Sequence, residues 1–199
     1  MEHYFTSDPT VKSEERIIEY EIKGKTLTFI SDNGVFSKNH IDSATELLVK
    51  TIYDEVHGKI LDVGCGYGVI GITLATSQEI KEVTMIDINH RALELAKRNS
   101  VKNKVSSKIK VLESNGFEQI KEKYDAIITN PPIRAGKSVI YQMYADAKEH
   151  LLDGGALYIV INKKHGAPST IKYLEELFGN AEVLDKKAGF NVIKCVLQG

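Results

Sequence analysis

The sequence lacks the marks of several common protein classes. Its two cysteines, Cys65 and Cys195, are too few for a disulfide-stabilised fold and do not have the spacing of metal ligands. No apolar run approaches the length of a membrane-spanning helix, and the amino-terminal residues lack the basic and then apolar order of a signal peptide. We therefore expect a cytoplasmic protein in a reducing environment, with no membrane partner and no metal.

The chain also lacks a strong excess of charge of either sign. Its 26 Lys and Arg residues nearly balance its 27 Asp and Glu residues, which leaves a formal net charge of -1. Any nucleic-acid site must therefore be a local basic patch. The 199 residues suffice for one domain with a sizeable core. We predict a single domain over residues 1–199, with an amino-terminal hairpin extension (1–40) and a catalytic core (41–199).

Apolar segments of strand length alternate with segments of helical periodicity along most of the chain. Two short β runs on either side of Lys23-Gly24 predict a hairpin, which precedes this alternating region. The strands predicted for the main sheet are residues 59–63, 82–86, 108–112, 124–129, 156–161, 181–184 and 191–197. The alternation is typical of a doubly wound α/β fold with a mostly parallel sheet of seven strands. Only a short turn separates the last two strands, and a parallel crossover needs about a dozen residues or more, so the last strand should be antiparallel.

A glycine-rich turn follows the first strand of this sheet. Residues 59–71 read KILDVGCGYGVIG, an apolar strand that leads into a G-x-G-x-x-G pattern and then into an apolar helix. Glycines permit positive φ angles and let a ligand lie against bare backbone, while the next helix offers unpaired N–H groups. The pattern fits a dinucleotide loop and an adenosyl-methionine loop equally well. A turn that binds nothing is the alternative, but three closely spaced glycines lose much conformational entropy on folding, which argues against it.

Two carboxylates flank the glycine turn. Asp87 ends the next strand, where it can accept hydrogen bonds from both ribose hydroxyls of an adenosine. It could instead cap the following helix, although Asn89 can supply that cap. Asp62, just before the turn, suits a cation such as an amino-acid ammonium and suits a pyrophosphate badly. Its alternative function is to accept hydrogen bonds from the loop N–H groups. The pair favours adenosyl-methionine over NAD.

The most specific motif is Asn130-Pro131-Pro132-Ile133, directly after the fourth strand of the sheet. Two prolines fix the backbone and contribute no N–H donors, so the carbonyls form a rigid set of acceptors to which Asn130 adds an amide oxygen. Such a set can hold both hydrogens of a planar exocyclic amino group and free its lone pair for attack on a methyl group. A simple strand-ending turn is the alternative.

Together these motifs resemble those of class I S-adenosyl-methionine-dependent methyltransferases that act on amino nitrogens. The resemblance sharpens at NGVFS (33–37), IDS (41–43), NPPIRAGK (130–137) and NKKHGA (162–167). These segments look like the catalytic domain of the small-subunit (16S) ribosomal RNA guanine-N2 methyltransferases of type C, in a short single-domain form. The resemblance implies a Rossmann-like fold, S-adenosyl-L-methionine as the cofactor, and ribosomal RNA or the small ribosomal subunit as the partner.

The resemblance also implies functions for particular residues. Asn130, Pro131 and Pro132 would be catalytic. The cofactor would contact Phe36, Asp62, Gly64, Cys65, Gly66, Gly68, Asp87, Ile88, Asn115 and Asn130. Two positions depart from the family pattern: Asn115 stands where such enzymes often have an Asp against the adenine, and Ile133 replaces an aromatic residue that would stack on a flipped base.

Basic residues near the same sheet edge are candidates for RNA phosphate contacts. They are Arg134, Lys137, Lys163 and Lys164. Ordinary solvated surface charge is an equally good interpretation of each. We expect a monomer or a weak homodimer. Methylation of a protein glutamine or a small-molecule amine, a nicotinamide-dependent oxidoreductase, and a non-catalytic RNA-binding module are the alternative functions.

Overall fold

A computed structural model describes residues 6–199 as a two-stranded hairpin joined to a seven-stranded sheet with helices on both faces. The hairpin consists of β1 (Arg16–Ile22) and β2 (Lys25–Ser31). The sheet strands are β3 (Gly58–Val63), β4 (Ile80–Asp87), β5 (Ile109–Glu113), β6 (Tyr124–Thr129), β7 (Leu151–Asn162), β8 (Glu182–Lys187) and β9 (Phe190–Val196). The helices are α1 (Ser43–Ile52), α2 (Val69–Ala75), α3 (His90–Lys102), α4 (Lys137–Glu149) and α5 (Ala167–Phe178).

The strand order of the sheet is β5-β4-β3-β6-β7-β9-β8. Strand β3 pairs in parallel with both β4 and β6, and β9 is antiparallel to β7 and to β8. The tight turn between β8 and β9 has positive φ angles at Ala188 (50°) and Gly189 (85°), which suits the right-handed twist of a hairpin. The predicted fold, including the antiparallel last strand and the amino-terminal hairpin, is confirmed.

The central strands are buried on both faces, which explains their nearly continuous apolar runs. Along β3, Ile60 packs into the cluster formed by α1, α2, α3 and the hairpin, while Leu61 packs into the cluster formed by α4 and α5. Both side chains are fully buried. The sheet is therefore the middle layer of three, and its carboxyl edge stays open between the helices.

Two asparagines, one within α3 and one directly after it, attach the hairpin to the core. The Asn103 side chain accepts from the Thr28 N–H at 3.0 Å and donates to the Thr28 carbonyl at 2.9 Å. One helical turn earlier, Asn99 makes the same pair of bonds with the backbone of Ile30, at 2.7 and 3.0 Å. The two amides thus satisfy the free edge of β2 as a neighbouring strand would.

The division into one domain with an amino-terminal extension stays a prediction, and the first five residues of that extension lie outside the described part.

The largest difference from the predicted strand boundaries is at the start of β7. Strand β7 begins at Leu151, because Tyr124 pairs with Leu151 and Ala126 pairs with Ala156, so the intervening residues form an irregular excursion within one strand. The strand therefore starts before the predicted range of 156–161. Helix α1 ends at Ile52, and the side chain of Val56, beyond the helix, is also buried. No helix among residues 6–199 combines the length and apolar character needed to cross a bilayer.

Candidate active site

A large cavity lies at the carboxyl ends of β3, β4, β6 and β7. The strand order reverses direction between β3 and β6, and this is where open α/β sheets bind ligands. Its volume of about 1190 Å³ exceeds that of most single-ligand pockets, which leaves room for two adjacent ligands. The predicted site residues in its walls are Phe36, Gly64, Cys65, Gly66, Asp87, Ile88, Asn115, Asn130, Pro131, Pro132 and Arg134.

Five predicted site residues lie outside the walls. Asp62 and Gly68 are buried behind the glycine loop. A Cβ at Gly68 would meet Ile72 Cδ1 at 2.6 Å, and its φ of 103° starts α2, so this glycine serves the turn itself. The side chains of Lys137, Lys163 and Lys164 are exposed on the surface.

The glycine loop turns bare backbone toward the cavity. Gly64 and Gly66 have φ angles of 72° and 56°, and a Cβ at either position would point into open space. The N–H groups of Gly64 and Cys65 both donate to the Ile86 carbonyl at 2.9 Å, which holds the loop over the end of β4. A side chain at 64 or 66 would be strained and would occupy the space that a ligand needs.

Asp87 connects the glycine loop with the start of α3. Its carboxylate accepts from the N–H of Gly66 at 2.8 Å and from the N–H of Asn89 at 3.0 Å. Burial raises the pKa of Asp87, and these backbone hydrogen bonds oppose that rise. The cap of α3 comes from Asn89, whose side chain accepts from the Ala92 N–H at 3.1 Å. Asp87 is therefore not the cap and lies in the cavity wall beside Ile88.

Asn130 lies just beyond β6, on the other side of the glycine loop from Asp87. Its Nδ2 donates to Asp42 Oδ2 at 3.1 Å and to Thr45 Oγ1 at 3.0 Å. Asp42 and Thr45 also line the cavity, and neither is among the site residues that the sequence predicted. The motif IDS at 41–43 was the one available signal.

Comparisons with known proteins show the family of this chain. The family model described as methyltransferase small domain matches residues 26–194, which is most of the chain. The chain belongs to the methyltransferase small domain family. It is 44% identical over 197 residues to the uncharacterized protein YbxB of Bacillus subtilis (strain 168), and the match covers 98% of each chain.

Other relatives of this methyltransferase have more specific names. Ribosomal RNA small subunit methyltransferase C of Mannheimia succiniciproducens is 39% identical over 167 residues, a match that covers 82% of this chain and 49% of the relative. The solved structure of the T. thermophilus 16S rRNA N2 G1207 methyltransferase (RsmC), in complex with AdoMet and guanosine, superposes with a TM-score of 0.83 at 27% identity, and the match covers 96% of this chain and 52% of that one. The chain thus spans about half the length of these relatives. The predicted cofactor is confirmed at the level of the family.

The thiol of Cys65 is packed inside the glycine loop. It is buried, and its Sγ lies 3.4 Å from the Gly66 carbonyl. Burial, together with the nearby carboxylates of Asp87 and Asp62, raises the pKa of the thiol well above its usual range. A thiol that stays protonated is a poor nucleophile, so Cys65 is not expected to accept a methyl group.

Asp62 is a fully buried carboxyl group directly behind the loop. Its Oδ2 accepts from the Gly71 N–H in α2 at 3.0 Å, whereas Oδ1 has no hydrogen-bond partner among residues 6–199. Burial raises the pKa of Asp62 to about 7, and the charge of Asp87 adds to the rise. The half-satisfied carboxylate costs stability whenever it is ionised.

The Asp62→Asn variant is expected to change how stability depends on pH. Because the folded-state pKa lies above the unfolded value, the native protein loses stability as pH rises from about 4 to about 7. The variant lacks this loss, so at pH 8 it should gain up to about 4 kcal/mol over the native protein, and the gain should shrink toward pH 5. Urea unfolding at pH 5, 6.5 and 8 measures it, with the exposed Asp153→Asn as the matched control. A gain in the free energy of unfolding that is the same at all three pH values would contradict a raised pKa at Asp62.

Proposed function

We propose that this chain is an S-adenosyl-L-methionine-dependent methyltransferase that acts on an exocyclic amino nitrogen, N2 of a guanine in small-subunit ribosomal RNA. The observation that carries the proposal is that the glycine loop, Asp87 and Asn130-Pro131-Pro132 share the walls of one cavity. The names of the Mannheimia and T. thermophilus relatives support the choice of substrate. Family membership leaves the nicotinamide alternative without support.

The residues of the loop side fit the cofactor. S-adenosyl-L-methionine supplies an electrophilic methyl group on a sulfonium sulfur. The bare backbone at Gly64 and Gly66 would lie against its methionine part, and Asp87 would accept hydrogen bonds from the ribose hydroxyls. Ile88 offers an apolar side chain for the adenine, and Asn115, exposed in the wall, offers an amide oxygen to the adenine amino group.

The opposite side of the cavity fits the amino group that is methylated. The oxygen of Asn130 and the carbonyl of Pro131 would accept its two hydrogens, which pulls the nitrogen toward a pyramidal shape and exposes its lone pair. The Pro132 carbonyl is already used, because it accepts from the Ala135 N–H at 2.9 Å. These residues act by positioning, and the methylated nitrogen releases its surplus proton to solvent.

The entrance of the cavity fits a flipped base. The exposed side chains of Phe36 and Val139 and the partly buried Ile133 give it an apolar lining. A guanine must leave its stack to reach Asn130. Arg134 lies in the wall, and three exposed lysines lie on segments that adjoin it, Lys137, Lys163 and Lys164. These four residues would contact the phosphates of the RNA backbone.

A methyl-transfer assay tests the proposal. The protein is incubated with methyl-labelled cofactor and, separately, with protein-free ribosomal RNA, 30S subunits and total protein. We expect label in RNA that is recovered after digestion as N2-methylguanosine. Label in protein alone would replace guanine by a glutamine amide, and label on another nucleoside would overturn the N2 assignment. If no acceptor were labelled, the proposal that the substrate is a macromolecule would be wrong.

A further inference from the structure

The side chain of Asn130 is held from behind by the first turn of α1. Its Nδ2 donates to Asp42 Oδ2 and Thr45 Oγ1, while no group of residues 6–199 donates to its Oδ1. A carboxylate can only accept, so the amide has one favoured orientation, with Nδ2 toward Asp42. Because the nitrogen faces α1, the oxygen is the atom left for the cavity.

The two anchoring side chains are themselves fixed. Asp42 is the N-cap of α1, and its Oδ2 accepts from the Thr45 N–H at 3.0 Å as well as from Asn130. Thr45 is buried in the first turn. The positive end of the helix dipole stabilises a carboxylate at this position. Asn130 therefore cannot rotate its amide without breaking its hydrogen bonds to two side chains that are held at the start of α1.

A capping function alone does not explain the set of contacts. Ser, Asn and Asp are about equally good N-caps, so a cap does not require a carboxylate. A carboxylate beside Nδ2 does more, because its negative charge favours the amide resonance form with negative charge on Oδ1. The oxygen that faces the cavity then becomes a stronger acceptor for an amino hydrogen.

We propose that Asp42 and Thr45 are positioning residues for methyl transfer: they orient the Asn130 amide and polarise its oxygen toward the acceptor amine. The inference rests on the proposed function of Asn130. It assigns to the start of α1 a function in catalysis besides its function as a helix cap.

Two single substitutions separate positioning from folding. Asp42→Asn keeps a good N-cap but removes the charge, and Thr45→Val keeps the shape but removes the hydroxyl acceptor. Each should lower kcat by about 10–100-fold, with the cofactor Kd within about twofold and the melting temperature nearly unchanged. Thr45→Ser, which keeps the hydroxyl, is the matched control and should retain near-native kcat.

An exchange of the two side chains tests whether Asn130 and Asp42 act as a pair. Asn130→Asp alone places its carboxylate within hydrogen-bond distance of the Asp42 carboxylate. The two negative charges repel each other and separate the two side chains. Adding Asp42→Asn removes one of the two charges and relieves this repulsion, while a carboxylate oxygen stays toward the cavity. We expect the double variant to be at least about tenfold more active than Asn130→Asp alone.

The outcomes distinguish this inference from the proposed function. Native kcat in both Asp42→Asn and Thr45→Val, with Asn130→Ala inactive, would overturn positioning by α1 and leave the proposed function intact. A double variant no more active than Asn130→Asp would also overturn it. Full activity of Asn130→Ala would instead contradict the proposed function itself.

Discussion

Replacement of Asn130 by alanine is expected to lower kcat for methyl transfer by about 10²–10³-fold, as the loss of one preorganised polar contact does in other enzymes. The variant would lose the amide oxygen that holds one amino hydrogen, and nothing else in the side chain could replace it. Single-turnover kinetics with labelled cofactor measure the chemical step. Because Asp87 and the glycine loop are unchanged, the cofactor Kd should stay within a few-fold.

The control for this substitution is Asn39→Ala. Asn39 is exposed and is not part of the cavity wall, so its replacement should leave kcat and the cofactor Kd at native values. The melting temperature of Asn130→Ala should also be followed, since Asp42 and Thr45 lose a donor. Native kcat in a folded Asn130→Ala protein would remove the residue from the mechanism.

The second large effect is expected at Asp87. In Asp87→Ala the ribose would lose a charged acceptor, and the Gly66 N–H would lose its 2.8 Å hydrogen bond, so the loop would be less ordered. A hydrogen bond to a charged group contributes about 1.5–3 kcal/mol, which corresponds to a rise in the cofactor Kd of roughly 10–100-fold. Isothermal titration calorimetry with the cofactor measures it.

Asp87→Asn refines this test, because it retains one acceptor oxygen and should give an intermediate Kd. Saturating cofactor should restore much of kcat in both variants, since the amino-group side of the cavity is intact. A Kd unchanged in Asp87→Ala would mean that Asp87 serves only the backbone of the loop. The exposed Asp153→Ala controls for the loss of a carboxylate as such.

Much of the fold follows from local patterns. The apolar runs that became β3, β6 and β9 are buried strands, and the glycine turn after β3 has the positive φ angles that its residues suggest. The short turn before β9 was enough to predict an antiparallel end, because a parallel crossover needs about a dozen residues or more. Periodicity and turn chemistry act over a few residues, so one sequence suffices to read them.

The sequence by itself thus determined the alternation of strands and helices, the glycine turn and the place of Asn130 directly after a buried strand. Only the tertiary structure decided which side chains meet there. It placed Asp62 and Gly68 behind the loop, left Lys137 outside the wall, and brought Asp42 to Asn130 across 88 positions of the chain. The physical reason is that such contacts depend on how α1 packs on the sheet, and local periodicity carries no information about that packing.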